Sequence, residues 1–242
     1  MKRAFWITLL ALVAFLGILI ARLPASWLIP SHSGSYACGD LDGTVWSGTC
    51  SGLLVNGQSL GDLAWEIHSS RLFAGKLNAS LGLTRAGANA HGELEVGLDK
   101  LVTARHIQAD LPLDPAIMPE LPANVRGTLH ANIALLRLRN RAVEQLQGQI
   151  EVHDLVQGSD QFGSYALNFP PTTSRTPIGQ LHDLGGPLAI EGSLRLTPEP
   201  GYDLEGLIAA RATATEDIRR AIEFLGSPDA QGRRLFSLAG TY

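Results

Sequence analysis

Lys76–Leu98 reads KLNASLGLTRAGANAHGELEVGL. Leu77, Ala79, Leu81 and Leu83 alternate with Asn78, Ser80 and Gly82; Leu94, Val96 and Leu98 alternate with Glu93, Glu95 and Gly97. Successive side chains of a strand point to opposite faces. Strict alternation therefore predicts strands with one buried and one wetter face, as in antiparallel meanders.

The same period recurs on both sides. Upstream, Leu63, Trp65 and Ile67 alternate with Ala64, Glu66 and His68, and Asn56-Gly57 before them is a strong hairpin signal. Val45 and Trp46 form a further short strand candidate. Downstream, Ile107, Ala109 and Leu111 alternate with His106, Gln108 and Asp110; Leu129, Ala131, Ile133 and Leu135 alternate with His130, Asn132 and Ala134. Ile150, Val152 and Asp154 make a weaker case, and Leu188, Ile190, Leu194 and Leu196 alternate around Glu191 and Arg195. Leu111–Pro122 carries four prolines and can hold at most one helical turn; Phe169–Gly186 reads as a long loop or connector. One helix is expected near the end. Thr215 is a natural N-cap, Glu216 and Asp217 suit the helix dipole, and Ile218, Ala221, Ile222 and Leu225 mark one face. Gly226-Ser227-Pro228 stops it, and a last strand lies within Leu235–Tyr242.

A different signal precedes the strands. Ala4–Ala21 holds 18 consecutive residues without a charge. As a helix it spans roughly 27 Å, close to the ~30 Å hydrocarbon core of a bilayer. Lys2 and Arg3 precede it, which favours a cytoplasmic N-terminus. The alternative is a cleaved signal peptide, but the run exceeds the usual ~7–15 apolar residues and no clear A-x-A pattern follows. Both readings place the body of the chain outside the cytoplasm. The expected organisation is residues 1–3 cytoplasmic, 4–23 a transmembrane signal-anchor helix in contact with the lipid bilayer, and 24–242 a periplasmic β-rich domain. Trp27 suits the membrane interface.

The formal net charge is −4, with 26 Gly and 13 Pro but only 17% charged residues. That density of turn formers fits short strands. The electrostatic footprint of a nucleic-acid binder is missing. Cys38 and Cys50 are the two cysteines. In an oxidising compartment such a pair reads as a disulfide. The rivals are free thiols or half of a metal site, and the latter needs two more ligands. The seven histidines are scattered along the chain.

Asp40-Leu41-Asp42-Gly43-Thr44-Val45 matches the nucleophile signature of haloacid-dehalogenase-like phosphatases. The apolar strand before it, the downstream acidic pair and the alternating α/β layout that this chemistry needs are all missing. Two aspartates in a turn beside a disulfide is the better reading. No G-x-S-x-G elbow and no Walker A or Rossmann glycine pattern occurs. No enzyme, cofactor or metal site is expected. Trp46 and Trp65 sit among alternating apolar residues, as core aromatics or as a surface for a partner or lipid.

Several pieces in order carry a family resemblance. Leu41–Ile67, LDGTVWSGTCSGLLVNGQSLGDLAWEI, holds a GTVWSG element followed by a G-x-L-x-W strand. Leu121–Leu138 leads to Leu146–Leu155, and the helix–strand ending Leu196–Tyr242 follows. With the N-terminal anchor, this order resembles protein N of the type II secretion system, the GspN family, over nearly the whole chain. GTVWSG with Trp65 is its most specific part. The family often has a Trp in the strand after Gly148, where this chain has His153. The resemblance implies a mainly β fold: an N-terminal transmembrane helix, then a curved antiparallel periplasmic sheet similar to the AsmA-like group, with one short C-terminal helix. It implies a non-enzymatic inner-membrane accessory subunit whose neighbours are the platform subunits of the secretion machine. The alternative is an AsmA-like periplasmic protein whose sheet contacts lipid.

Overall fold

The computed structural model describes residues 2–28, 32–33, 35–69, 72, 75–114, 118, 121–122, 124–172, 174 and 176–241; the side chains at 2–5, 7–9, 13–14, 16, 28 and 32–33 are not among those described. The alternating segments all become strands of one 15-stranded antiparallel sheet whose spatial order follows the chain. Its N-terminal margin is broken into short pieces: β1 (His32–Ser33), β2 (Tyr36–Ala37) and β3 (Asp40–Gly43). β2 and β3 both pair with β4 (Ser47–Val55). β5 (Gln58–His68), β6 (Lys76–Arg85), β7 (Ala88–Gly97), β8 (Leu101–Pro112) and β9 (Val125–Arg139) follow. β10 (Ala142–Gln157), β11 (Asp160–Phe169), β12 (Ile178–Asp183), β13 (Leu188–Thr197), β14 (Gly201–Ala210) and β15 (Arg234–Gly240) complete the sheet.

Tight turns set the register. Asn56 and Gly57 both adopt positive φ between β4 and β5, as the hairpin signal predicts. Asn140 and Arg141 do the same between β9 and β10. The Ile150–Asp154 strand, weak in the sequence, lies in β10, a strand of 16 residues. Its alternation breaks at Asp154 (φ 51°), where the register against β9 shifts between His153 and Val156. A bulge inserts an unpaired residue and hides the period.

Four expectations need correction. Val45 and Trp46 are not a strand but lie in the connection between β3 and β4. Phe169–Gly186 is not all connector, because its second half holds β12. The prolines that suggested a loop stop at Pro177, and Ile178–Asp183 is free to pair on both sides. β11 and β14 are strands beyond those that the alternation predicts. Finally, the N-terminal helix α1 runs from Lys2 to Ala21, 20 residues, and not to residue 23. Leu23 precedes Pro24, whose ring disfavours the α conformation before it. Pro24 instead makes an isolated antiparallel bridge with Thr44.

Trp6, Leu10, Leu12, Phe15, Ile18, Leu19 and Ile20 of α1 are exposed. Among the described residues no helix is long and apolar enough to cross a membrane. The short α2 (Ala25–Leu28) follows, with Ala25 fully buried and Trp27 72% exposed.

The C-terminal helix α3 (Glu216–Glu223) forms as expected. Thr215 has extended backbone, and its hydroxyl accepts from the Ile218 N–H. Ile218 and Ile222 are buried, with Ala214, against Leu188; Phe162, Ile190 and Ile208 pack around them. α3 therefore lies on one face of the sheet over the ends of β13 and β14. β10 also touches β13, so the sheet bends over on itself at this end.

Candidate functional site: the helix–sheet junction and the apolar face

GTVWSG, Gly43–Gly48, is where the sheet meets α1. β3 and β4 pair with Gly43 opposite Gly48 and close tightly. Gly43 has φ +96°, and a Cβ there would meet the Ser47 carbonyl oxygen at 2.5 Å. A Cβ on Gly48 would meet the Asp42 carbonyl oxygen and the Trp65 ring, both at 2.5 Å. Only glycine fits at either position. Between them the Thr44 N–H donates to the Ser47 carbonyl (2.8 Å), and the Ser47 N–H donates to Thr44 Oγ1 (3.2 Å).

This turn projects Val45 and Trp46 toward the helix. The Trp46 indole N–H donates to the Ile20 carbonyl (2.8 Å), in the last turn of α1, which also accepts from the Leu23 N–H (3.3 Å). The Val45 N–H donates to the Leu23 carbonyl (3.0 Å). From β5, the Trp65 indole N–H donates to the Val45 carbonyl (3.2 Å), and the Ile67 N–H donates to the Trp46 carbonyl. Trp46 and Trp65, 19 positions apart, thus brace one turn from its two sides. Both are half-buried.

Cys38 and Cys50 are joined in a disulfide, with Cα atoms 5.7 Å apart. Both are buried. The bridge ties the segment between β2 and β3 to β4, stapling the fragmented margin beside the junction.

From this margin an apolar ladder crosses the sheet. Leu41, Cys50, Leu63, Leu83, Ala90, Ala109, Ala131, Ile150, Leu167, Leu181, Gly192, Gly206 and Phe236 are successive cross-strand partners. At about 4.8 Å per strand, the path along the sheet is roughly 55–60 Å. One residue out of phase, a polar ladder runs Gly82, His91, Gln108, Asn132, Gln149, Asn168, Gln180, Ser193, Glu205, Ser237. The sheet thus has one apolar and one polar face over most of its width. Trp65 lies on the apolar face, where it lines a cavity of about 450 Å³ with Leu41, Val45, Cys50, Ile67 and Ala79.

The polar face gathers histidines that lie far apart in the sequence. His130 on β9 and His153 on β10 meet edge to face, ring centroids 5.2 Å apart. His130 Nδ1 pairs with Asp110, and His153 Nε2 with Glu151 at 2.7 Å. Among the described residues no group of three or more His, Cys, Asp or Glu could hold a metal ion. Asp40 and Asp42 of the phosphatase-like signature are exposed on β3, in an antiparallel strand pair rather than in a turn.

At the far end Arg211 holds the approach to α3. Its guanidinium donates to Asp183 Oδ1 (2.7 Å) and to the carbonyls of Gly186 and Leu188. Burial acts to raise the Asp183 pKa, but hydrogen bonds from Arg211 and the N–H groups of Ile190 and Gly185 outweigh it and hold the carboxyl below its usual value. Burial, with help from the charge of Asp183, pushes the nearby Tyr165 hydroxyl up to about 12.

A family model described as "Type II secretion system (T2SS), protein N" matches residues 36–237. The chain is 28% identical over 248 residues to the type II secretion system protein N of Aeromonas hydrophila, covering 96% of each chain. It is 27% identical over 256 residues to that of Vibrio cholerae serotype O1, covering 99% of each. No solved structure matches the chain. The matched span begins at β2 and ends within β15, taking in GTVWSG, both cysteines and the apolar ladder, and by that match the chain belongs to the type II secretion system protein N family.

Proposed function

We propose that this chain is a non-enzymatic inner-membrane accessory subunit of the type II secretion system. It assists the assembly or stability of the apparatus that exports folded proteins across the outer membrane. The observation that carries this reading is the family match over residues 36–237. In the proposed topology the extreme N-terminus is cytoplasmic, the uncharged stretch Ala4–Ala21 of α1 crosses the inner membrane and the sheet beyond it is periplasmic. The 18 uncharged residues from Ala4 to Ala21 support the crossing. A disulfide between Cys38 and Cys50 fits the oxidising periplasm. The contacts of Trp46 and Val45 with the end of α1 support a rigid mounting of the sheet on its anchor. The proposed partners are the platform subunits of the secretion machine.

Crosslinking the full-length protein in intact cells, together with deletion of its gene, tests this. Adducts with platform subunits and a loss of exported protein are expected. Unimpaired export, with no secretion subunit among the adducts, would overturn the assignment.

A second reading, contact of the sheet with lipid, has one specific observation in its favour. The apolar ladder reaches from Leu41 to Phe236 without a charged residue. A periplasmic sheet that exposes such a face needs an apolar cover over part of it.

A further inference from the structure

The two edges of the sheet are built differently. An edge strand leaves a row of backbone N–H and C=O groups open to pairing, and proteins blunt such edges with short strands, prolines, bulges or charges. The N-terminal edge is blunted, because β1 and β2 hold two residues each. β15 has none of these devices. Its seven residues, RLFSLAG, pair with β14 in one unbroken register from Ile208↔Arg234 to Tyr202↔Gly240. It holds no proline, and its one charge is Arg234 at the first position. That guanidinium is turned back to the carbonyls of Glu223 and Gly226, away from the rest of the strand. Among the described residues no strand pairs with the other side of β15. Leu235 is 68% and Leu238 55% exposed, and alternation puts them on opposite faces. The open edge therefore carries an exposed apolar side chain on each face.

β15 is also complementary to itself. Two identical antiparallel strands in one sheet are related by a twofold axis perpendicular to that sheet. Such an axis keeps like faces together, so each residue meets one from its own face. With the axis at Ser237, the middle of the strand, every residue of β15 finds a partner. Phe236 meets Leu238 of the second copy, Leu235 meets Ala239, and Arg234 meets Gly240. The two Arg234 then stand about 20 Å apart, well beyond the ~8 Å screening length of physiological salt. Moving the axis to Phe236 sets Arg234 against Leu238, and moving it to Leu238 sets Phe236 against Gly240; either leaves part of the strand unpaired. We propose that β15 is a docking edge for a second copy of this chain, joining two sheets antiparallel through a twofold at Ser237. A head-to-tail contact fits poorly, because the opposite edge offers β15 only two-residue strands. In the pair the two Gly43–Gly48 junctions stand at the outer ends. With both copies anchored by α1 in one membrane, as proposed above, the twofold follows the membrane normal and the sheet at β15 lies along the membrane surface. The pairing itself does not depend on that topology.

Single cysteines in the full-length protein in intact cells test this. Ser237→Cys sets two thiols opposite each other at the twofold and should give a disulfide-linked dimer whose linked peptide joins position 237 to position 237. Leu235→Cys alone should give about a tenth as much, because its two copies stand about 14 Å apart and a disulfide needs Cα atoms within roughly 7 Å. Co-expressed with Ala239→Cys, it should link position 235 to position 239. Ser193→Cys, exposed on the interior strand β13, should give none. Resistance to protease and an intact Cys38–Cys50 disulfide certify that each variant folds. A Ser237→Cys variant that stays monomeric, or that links to a different protein, would overturn the second copy as occupant. Equal linkage from Leu235→Cys and Ser237→Cys would overturn the twofold register. Ser237→Glu sets two like charges opposite each other and should weaken self-association in detergent about tenfold; an unchanged dimer fraction would overturn β15 as the contact.

Discussion

Gly48 and Trp65 show how one residue sets the junction. They face each other across β4 and β5, and the indole lies where a Cβ of residue 48 would stand. Gly48→Ala forces the ring or the Asp42 carbonyl to move, and overpacking of this kind costs about 1–3 kcal/mol. Urea denaturation of the full-length variant measures it; an unchanged midpoint would contradict the packing described here. The glycine spacing of GTVWSG was plain in the sequence, but its purpose was not. Val45 and Trp46, a short strand candidate by sequence, lie in a turn, because both glycines close the hairpin and leave these two residues to face α1. His130 and His153 give the opposite lesson. Twenty-three positions separate them, and only the pairing of β9 with β10 brings their rings together.

Among the elements, α3 was the easiest to read and is the simplest to test. Ile218 is 4% exposed and anchors the helix to Leu188. Ile218→Ala should cost about 2–5 kcal/mol, the usual range for truncating a buried aliphatic chain. A lower Tm by calorimetry would report it, and an unchanged Tm would contradict the anchoring role of Ile218. The Arg211–Asp183 contact beside α3 predicts an acid response. The Asp183 pKa is lowered on folding, so this contact contributes its full stability above the ordinary aspartate value of 3.8 and loses it as pH falls through the lower folded value. Asp183→Asn should flatten the acid limb of Tm against pH in that window; a limb as steep as in the unmodified protein would refute this role. The disulfide belongs to the fragmented margin formed by β1, β2 and β3. On the chain-entropy model its reduction costs roughly 3 kcal/mol. A drop in Tm on adding reductant, absent from the Cys38→Ser/Cys50→Ser variant, checks this.

At the scale of the whole molecule, one feature governs orientation. The sheet meets α1 through the Trp46 indole, the Val45 N–H and the Pro24–Thr44 bridge. Trp46→Phe keeps an aromatic ring and removes the bond to the Ile20 carbonyl, worth about 0.5–1.5 kcal/mol. Faster protease cleavage between Ala21 and Leu28, with the sheet itself still resistant, is the expected result. An unchanged cleavage rate would show that the indole bond does not hold the junction.

Local chemistry alone was enough for the β class, the apolar N-terminal stretch, the Asn56-Gly57 hairpin, the cysteine pair and the capped C-terminal helix. Each depends on a period, a turn pair or a cap within a few residues, and such signals survive without knowledge of distant partners. Tertiary structure decided the rest. β12 follows a proline-rich segment and escapes notice until β11 and β13 flank it. The bulge at Asp154 masks the alternation of β10. The apolar ladder exists only because the turns and bulges bring every strand into one phase, so that a face shared by 13 residues from β3 to β15 emerges from pairings no single segment contains.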